Sequence, residues 1–149
     1  MGIIYSVQAL STGSGRDGHV RTDDGVVDFE MRAVKGLGGS GDGYNPEQLF
    51  AAGYAACFHS ALLVVARKHR VKLVDSTVQA TVDLINPVPE TYGLAAQLVV
   101  SLPSLSAELA RQFAEEAHQI CPYSNATRGN IEVTLEVRSG SDVALEPVA

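Results

Sequence analysis

Two cysteines, Cys57 and Cys121, are the residues of this chain best suited to chemistry. Cys57 lies inside the nearly unbroken apolar run from Leu49 to Ala66. Cys121 closes a stripe of Ala110, Phe113, Ala114 and Ala117, whose spacings of three and four put them on one helix face. Both therefore face a core, and their two helices are expected to pack together. Cysteine is commonly buried, so two inert thiols are one reading. The other is a redox pair, in which one thiol reacts and the second closes a disulfide. Cys57 sits about ten residues inside its helix, beyond reach of the N-terminal dipole, and apolar surroundings raise a thiol pKa. It can react only if a cation from elsewhere reaches it. Cys121 stands at a helix C-terminus, where the dipole disfavours a thiolate by roughly 0.3–1 kcal/mol. In a redox pair, Cys57 would attack and Cys121 would resolve.

Other chemistries fit less well. His59 is two residues from Cys57, about 200° away around a helix, so it cannot serve as its base within one chain. None of the four histidines (His19, His59, His69, His118) has a ligand partner at metal-site spacing, and no metal is expected. Residues 36–41 read GLGGSG, a literal G-x-G-x-x-G. Four residues separate it from the helix start at Pro46, and no acidic residue follows about twenty positions on, so it is read as a loop rather than a dinucleotide site. The net charge of -6 argues against nucleic-acid binding. Arg67, Lys68, Arg70 and Lys72 read as a solvated helix end. The Leu49–Ala66 run, interrupted by Gly53, His59 and Ser60, reads as too short for a membrane span. The first residues, MGIIYSVQAL, lack a signal peptide's basic start and apolar core, and a cytoplasmic protein is expected.

The elements that must hold the cysteines follow from the pattern. A strand is expected over Ile4 to Leu10, then turns from Ser11 to Gly18. Strands at His19–Thr22 and Val26–Arg32 flank Asp24-Gly25, a strong hairpin signal. A Gly-rich loop covers 34–44. Asn45, Pro46 and Glu47 suit the cap, first position and first turn of a helix running to about His69. That helix is apolar nearly all round and should be buried nearly all round. Strands at Val74–Leu84 and Tyr92–Leu102 follow, then a helix from near Ser106 that Pro122 stops, and a strand at Ile131–Val137. A loose tail is expected over 139–149. The order is that of a single α+β domain over residues 1–149. Hydrophobic residues are 46% and charged residues 19%, a balance that points to an oligomer.

Three segments carry a resemblance. GRDG (Gly15 to Gly18), GDGYNPEQLFAAGYAACFHSAL (Gly41 to Leu62) and CPYSNATRGNI (Cys121 to Ile131) resemble the organic hydroperoxide resistance proteins, the Ohr branch of the OsmC/Ohr family. The likeness extends to about Val137. It implies antiparallel sheets around two central buried helices in an intertwined homodimer. It implies a peroxidase that reduces organic hydroperoxides to alcohols, with no bound cofactor and with dihydrolipoyl groups of lipoylated proteins as reductant. Carried over by motif, Cys57 is the peroxidatic cysteine, Cys121 the resolving one, Arg16 the cation and Glu47 the carboxylate that orients it.

The residues leave one geometric question open. Glu47 and Cys57 are ten positions apart, about 15 Å along a continuous helix, too far for one guanidinium to touch both. Either the helix breaks, with Gly53 the natural place, or Glu47 acts across a dimer. Arg21 is the rival cation. Phe50, Phe58 and Tyr123 are candidates for an apolar substrate wall. The competing functions are a small-molecule-binding domain with inert cysteines and an OsmC-like peroxidase with a different reductant.

Overall fold

The structure, a computed structural model, describes residues 1–140. The chain divides into two compact units, residues 1–49 and the remainder from Phe50.

The first unit holds a three-stranded antiparallel meander, β1 (Ala9–Thr12), β2 (His19–Thr22) and β3 (Asp28–Glu30). The expected strand from Ile4 forms only from Ala9. The physical reason is its partner: β2 ends at Thr22, opposite Ala9, so residues 4–7 find no ladder. Asp24-Gly25 makes the expected turn, with Gly25 at φ 72° and its N–H donating to the Thr22 carbonyl at 2.9 Å. GRDG folds as a 3-10 turn over Gly15–Asp17. A Cβ on Gly18 would lie 2.1 Å from the Thr12 carbonyl oxygen, so only glycine closes the loop behind Arg16. The Asp17 carboxylate accepts the Ala33 N–H at 3.0 Å and pins the turn to the following loop.

Helix α1 (Pro46–Lys68) opens with a reciprocal cap. Gln48 N–H donates to Asn45 Oδ1 at 2.8 Å, and Asn45 N–H to Gln48 Oε1 at 3.0 Å. Tyr54, Phe58, Ala61, Leu62, Val65 and Ala66 are its buried residues. Burial all round is not what this chain does: Leu63 and Val64 remain 45% and 49% exposed. At 23 residues, with a mean hydropathy of 1.8 over its most apolar 18, the helix is long and apolar enough to cross a membrane, contrary to the expectation from length. Its buried face is spent on the core instead.

The second unit pairs β4 (Thr77–Val88) with β5 (Thr91–Leu102) in a long hairpin. Then come α2 (Ala107–Ile120), α3 (Pro122–Thr127) and β6 (Glu132–Ser139). The α+β class is as expected, but the second sheet is mixed, because β6 runs parallel to β5. The intervening helices supply the crossover that parallel pairing needs. Pro122 does not only stop a helix; it is the first residue of the next, where proline's missing N–H costs nothing. Ser139, expected to begin the loose tail, ends β6, and residues 141–149 lie outside the described residues. Ala96, Leu98, Val100 and Leu102 point inward on alternate positions of β5. With the α1 face and the expected α2 stripe of Ala110, Phe113, Ala114 and Ala117, they form one core that includes Cys121.

Candidate active site

The sequence candidates fall into two groups, one in each unit. In the second unit, α1 presents Cys57 and the α2–α3 junction presents Cys121. The two thiols are free, and the Cys121 thiol donates toward Cys57 with the sulfurs 3.5 Å apart. Cys57 is partly exposed and Cys121 fully buried. That contrast assigns reach more firmly than the dipole argument does. Cys121 is both the last cap of α2 and the first of α3, so the two helix ends act on it in opposite senses.

Burial pushes the Cys57 thiol above its ordinary value. The Tyr123 backbone N–H, bonded to the sulfur, pulls the other way, and Cys121 adds to the rise. Gly53 does not break α1. It leaves room for the Tyr123 ring, whose hydroxyl would lie 2.8 Å from a Cβ placed there. Phe50, Tyr54 and Tyr123 cluster one to two turns before Cys57, with Tyr123 5.9 Å from Phe50 and 5.7 Å from Tyr54 between ring centres. Tyr123 is 38% exposed and Phe50 partly so. Phe58 has no exposed surface and belongs to the same core cluster as Phe113 and Leu62.

In the first unit, Arg16 and Glu47 form a two-pronged ion pair. Arg16 Nη1 donates to Glu47 Oε2 at 2.8 Å and Nη2 to Oε1 at 2.7 Å. Arg16 holds the Glu47 carboxyl below the usual range, against the opposing effect of burial. Glu47 in turn raises Arg16, which is permanently charged in any case. Only 15% of the Glu47 side chain and 37% of Arg16 meet solvent. The rival, Arg21, is 63% exposed and lies 3.9 Å from Asp28. Beside Arg16 opens a cavity of about 420 Å³ lined by Val20, Met31, Pro46 and Leu49. Sequence reasoning missed this apolar wall; the alternation of β2 around Val20 was the available signal.

The histidines are engaged elsewhere. His19 contacts Glu30 at 2.8 Å and also Asp28, His59 bonds Ser76 at 2.9 Å, His69 bonds Glu116 at 2.9 Å, and His118 bonds Ser124 at 2.8 Å. Among the described residues no group of three or more His, Cys, Asp or Glu could hold a metal ion.

Comparison with known proteins is specific. Residues 39–136 match the family described as OsmC-like protein. The organic hydroperoxide resistance protein of Xanthomonas axonopodis pv. citri is 42% identical over 139 residues, covering 89% of this chain and 94% of that protein. The crystal structure of an organic hydroperoxide resistance protein from Elizabethkingia anophelis superposes with a TM-score of 0.88 at 48% identity, covering 93% of this chain and 99% of that one. The crystal structure of OhrB from Bacillus subtilis gives 0.80 at 40% identity, covering 90% and 98%.

Proposed function

This chain belongs to the OsmC-like family, in its organic hydroperoxide resistance branch, and on that premise we propose that it is a cysteine peroxidase acting on organic hydroperoxides. The observation that carries the reading is the sulfur pair: a reachable thiol 3.5 Å from a buried one. The Cys57 thiolate attacks the distal peroxide oxygen. The O–O bond breaks, the alkoxide leaves as alcohol after gaining a proton, and Cys57 becomes a sulfenic acid. Cys121 then displaces the sulfenic oxygen as water and the disulfide forms. A dihydrolipoyl group on a lipoylated protein returns both thiols, itself becoming oxidised.

The thiolate needs a cation, because burial works against it. Arg16 supplies that charge, locked in direction by Glu47. Helix α1 runs unbroken through Gly53. We take the Arg16–Glu47 pair to serve the thiolate of a second copy in a homodimer, the reading that an unbroken helix supports. Exposed Leu63 and Val64 on α1, and Ile3, Ile4 and Tyr5 before β1, supply apolar surface for that association. Val20, Met31 and Leu49 beside Arg16 favour alkyl and lipid peroxides over hydrogen peroxide. The working compartment is the cytoplasm, whose reducing poise keeps the resting thiols free.

The test is thiol titration of the pure protein before and after one equivalent of cumene hydroperoxide. Two thiols should fall to none, with release of the alcohol. Two thiols remaining would mean inert cysteines.

A further inference from the structure

A buried polar network joins the helices that carry the two sulfurs without joining the chemistry. Tyr54, on α1 one turn before Cys57, shares hydrogen bonds with Ser124 Oγ at 3.0 Å and Thr127 Oγ1 at 3.2 Å, both on α3. His118, in the last turn of α2, bonds Ser124 Oγ at 2.8 Å. Thr127 Oγ1 also donates to the Ser124 carbonyl at 3.1 Å. Tyr54 and Ser124 have no exposed surface and Thr127 has 2%. Three hydroxyls in an apolar core cost free energy unless each is paired, and here each is. Phenylalanine, alanine and valine would fill the same space without that demand.

What the hydroxyls provide is direction. Helix α3 has six residues, too few to be stable on its own. It nevertheless carries Cys121 at its cap and Tyr123 in its first turn, the two groups that meet Cys57. The network ties this short helix to the stretch of α1 that bears Cys57 and to the end of α2. Beside the core packing that brings the sulfurs together, Tyr54 and Ser124 thus add directional ties between the helices that carry them.

We infer that Tyr54 and Ser124 are positioning residues for disulfide closure, holding α3 so that Cys121 stays aimed at Cys57 after Cys57 has been oxidised. The inference rests on the peroxidase reading above. Two reactions compete for the Cys57 sulfenic acid. In one, the Cys121 thiolate attacks its sulfur, the S–S bond forms, the S–O bond breaks, and hydroxide leaves to become water with the Cys121 proton. In the other, a second hydroperoxide transfers an oxygen to that sulfur, its O–O bond breaks, an alcohol leaves, and sulfinic acid results. The first depends on where α3 sits and the second does not.

The experiment is intact-mass analysis of the full protein after graded cumene hydroperoxide, reading sulfinic acid against disulfide. Tyr54→Phe and Ser124→Ala each remove two buried hydrogen-bond contacts and should each raise that ratio about five- to tenfold. Thr127→Ser keeps a hydroxyl and should behave as wild type. Val100→Ala, a core truncation on β5, controls for simple loss of stability and should leave the ratio unchanged. An unchanged ratio in both Tyr54→Phe and Ser124→Ala, or an equal rise in Val100→Ala, overturns the inference. If the wild type itself forms no disulfide with one equivalent, the peroxidase reading fails and the inference falls with it.

Discussion

The sulfur pair and the ion pair are built on opposite physical terms. Cys57 and Cys121 are brought together by packing, inside a core that raises the thiol pKa and so opposes reactivity. Arg16 and Glu47 are brought together by charge, at the edge of an apolar cavity, where each strengthens the charged form of the other. One region has a reachable thiol without a charge partner; the other has an oriented cation whose bonded partner is a carboxylate. A reactive thiolate needs both.

Deleting the nucleophile is the harshest way to break that comparison. Cys57→Ser should abolish peroxide turnover. Cys121→Ser should consume one equivalent and then stall, over-oxidising to sulfinic acid under excess peroxide. Mass spectrometry of each variant reads the outcome, and sulfenic acid on Cys121 of the wild type would reverse the roles. The packing side is tested next by Phe58→Ala. Because Phe58 is enclosed in the core, this change should cost about 3–5 kcal/mol of stability in urea unfolding. Phe50→Ala should instead raise KM for bulky peroxides with a smaller loss of stability.

The charge side has a pH signature. The folded Glu47 carboxyl titrates below its unfolded value, so its contribution is present above the ordinary glutamate range near 4.3 and is lost as pH falls through the lower folded value. Because more than a third of Arg16 meets solvent, screening holds the contribution to about 1 kcal/mol or less. Glu47→Gln should flatten that part of the stability profile between neutral and acid pH. The smallest effect separates two histidines. Glu30 and Asp28 raise His19, whereas burial, helped by Arg128, lowers His118. Ring-proton NMR should therefore find His19 titrating above the usual value and His118 below it. Any stability from His19 is present below its unfolded pKa and lost as pH rises through the folded one. His118 works in the opposite sense, favouring folding as pH rises through the acid window.

Local signals account for what could be read from the sequence. The Asp24-Gly25 turn, the Asn45 cap and the Ala110–Phe113–Ala117 stripe are each set by a few neighbouring residues, and each appears where expected. The features that escaped depend on distant partners. Residues 4–7 have strand composition but no strand opposite them. Pro122 ends one helix and begins another, and both roles use the same missing N–H. The parallel placement of β6 follows from the α2–α3 crossover. Of the site, Cys57 and Cys121 were legible as inward-facing positions, and GRDG and NPEQL marked Arg16 and Glu47 through family likeness. Aromatic type alone does not tell a lining from a core, so the enclosure of Phe58 and the partial exposure of Phe50 and Tyr123 were not legible. The Tyr54–Ser124 network was invisible, since seventy positions separate its ends.

The most direct test of the account is the pH dependence of Cys57 alkylation in a Cys121→Ser background, with and without Arg16→Ala. Circular dichroism of both proteins excludes unfolding. If the ion pair activates the thiol, removing Arg16 should move the alkylation midpoint upward by about one to three pH units. At neutral pH, oxidation by peroxide should then slow at least about tenfold. Arg16→Lys should recover only part of the difference, because an ammonium cannot bridge the thiolate and Glu47 with a planar fork. Arg21→Ala should change nothing. An unchanged profile in Arg16→Ala, or the loss appearing in Arg21→Ala instead, would contradict the account.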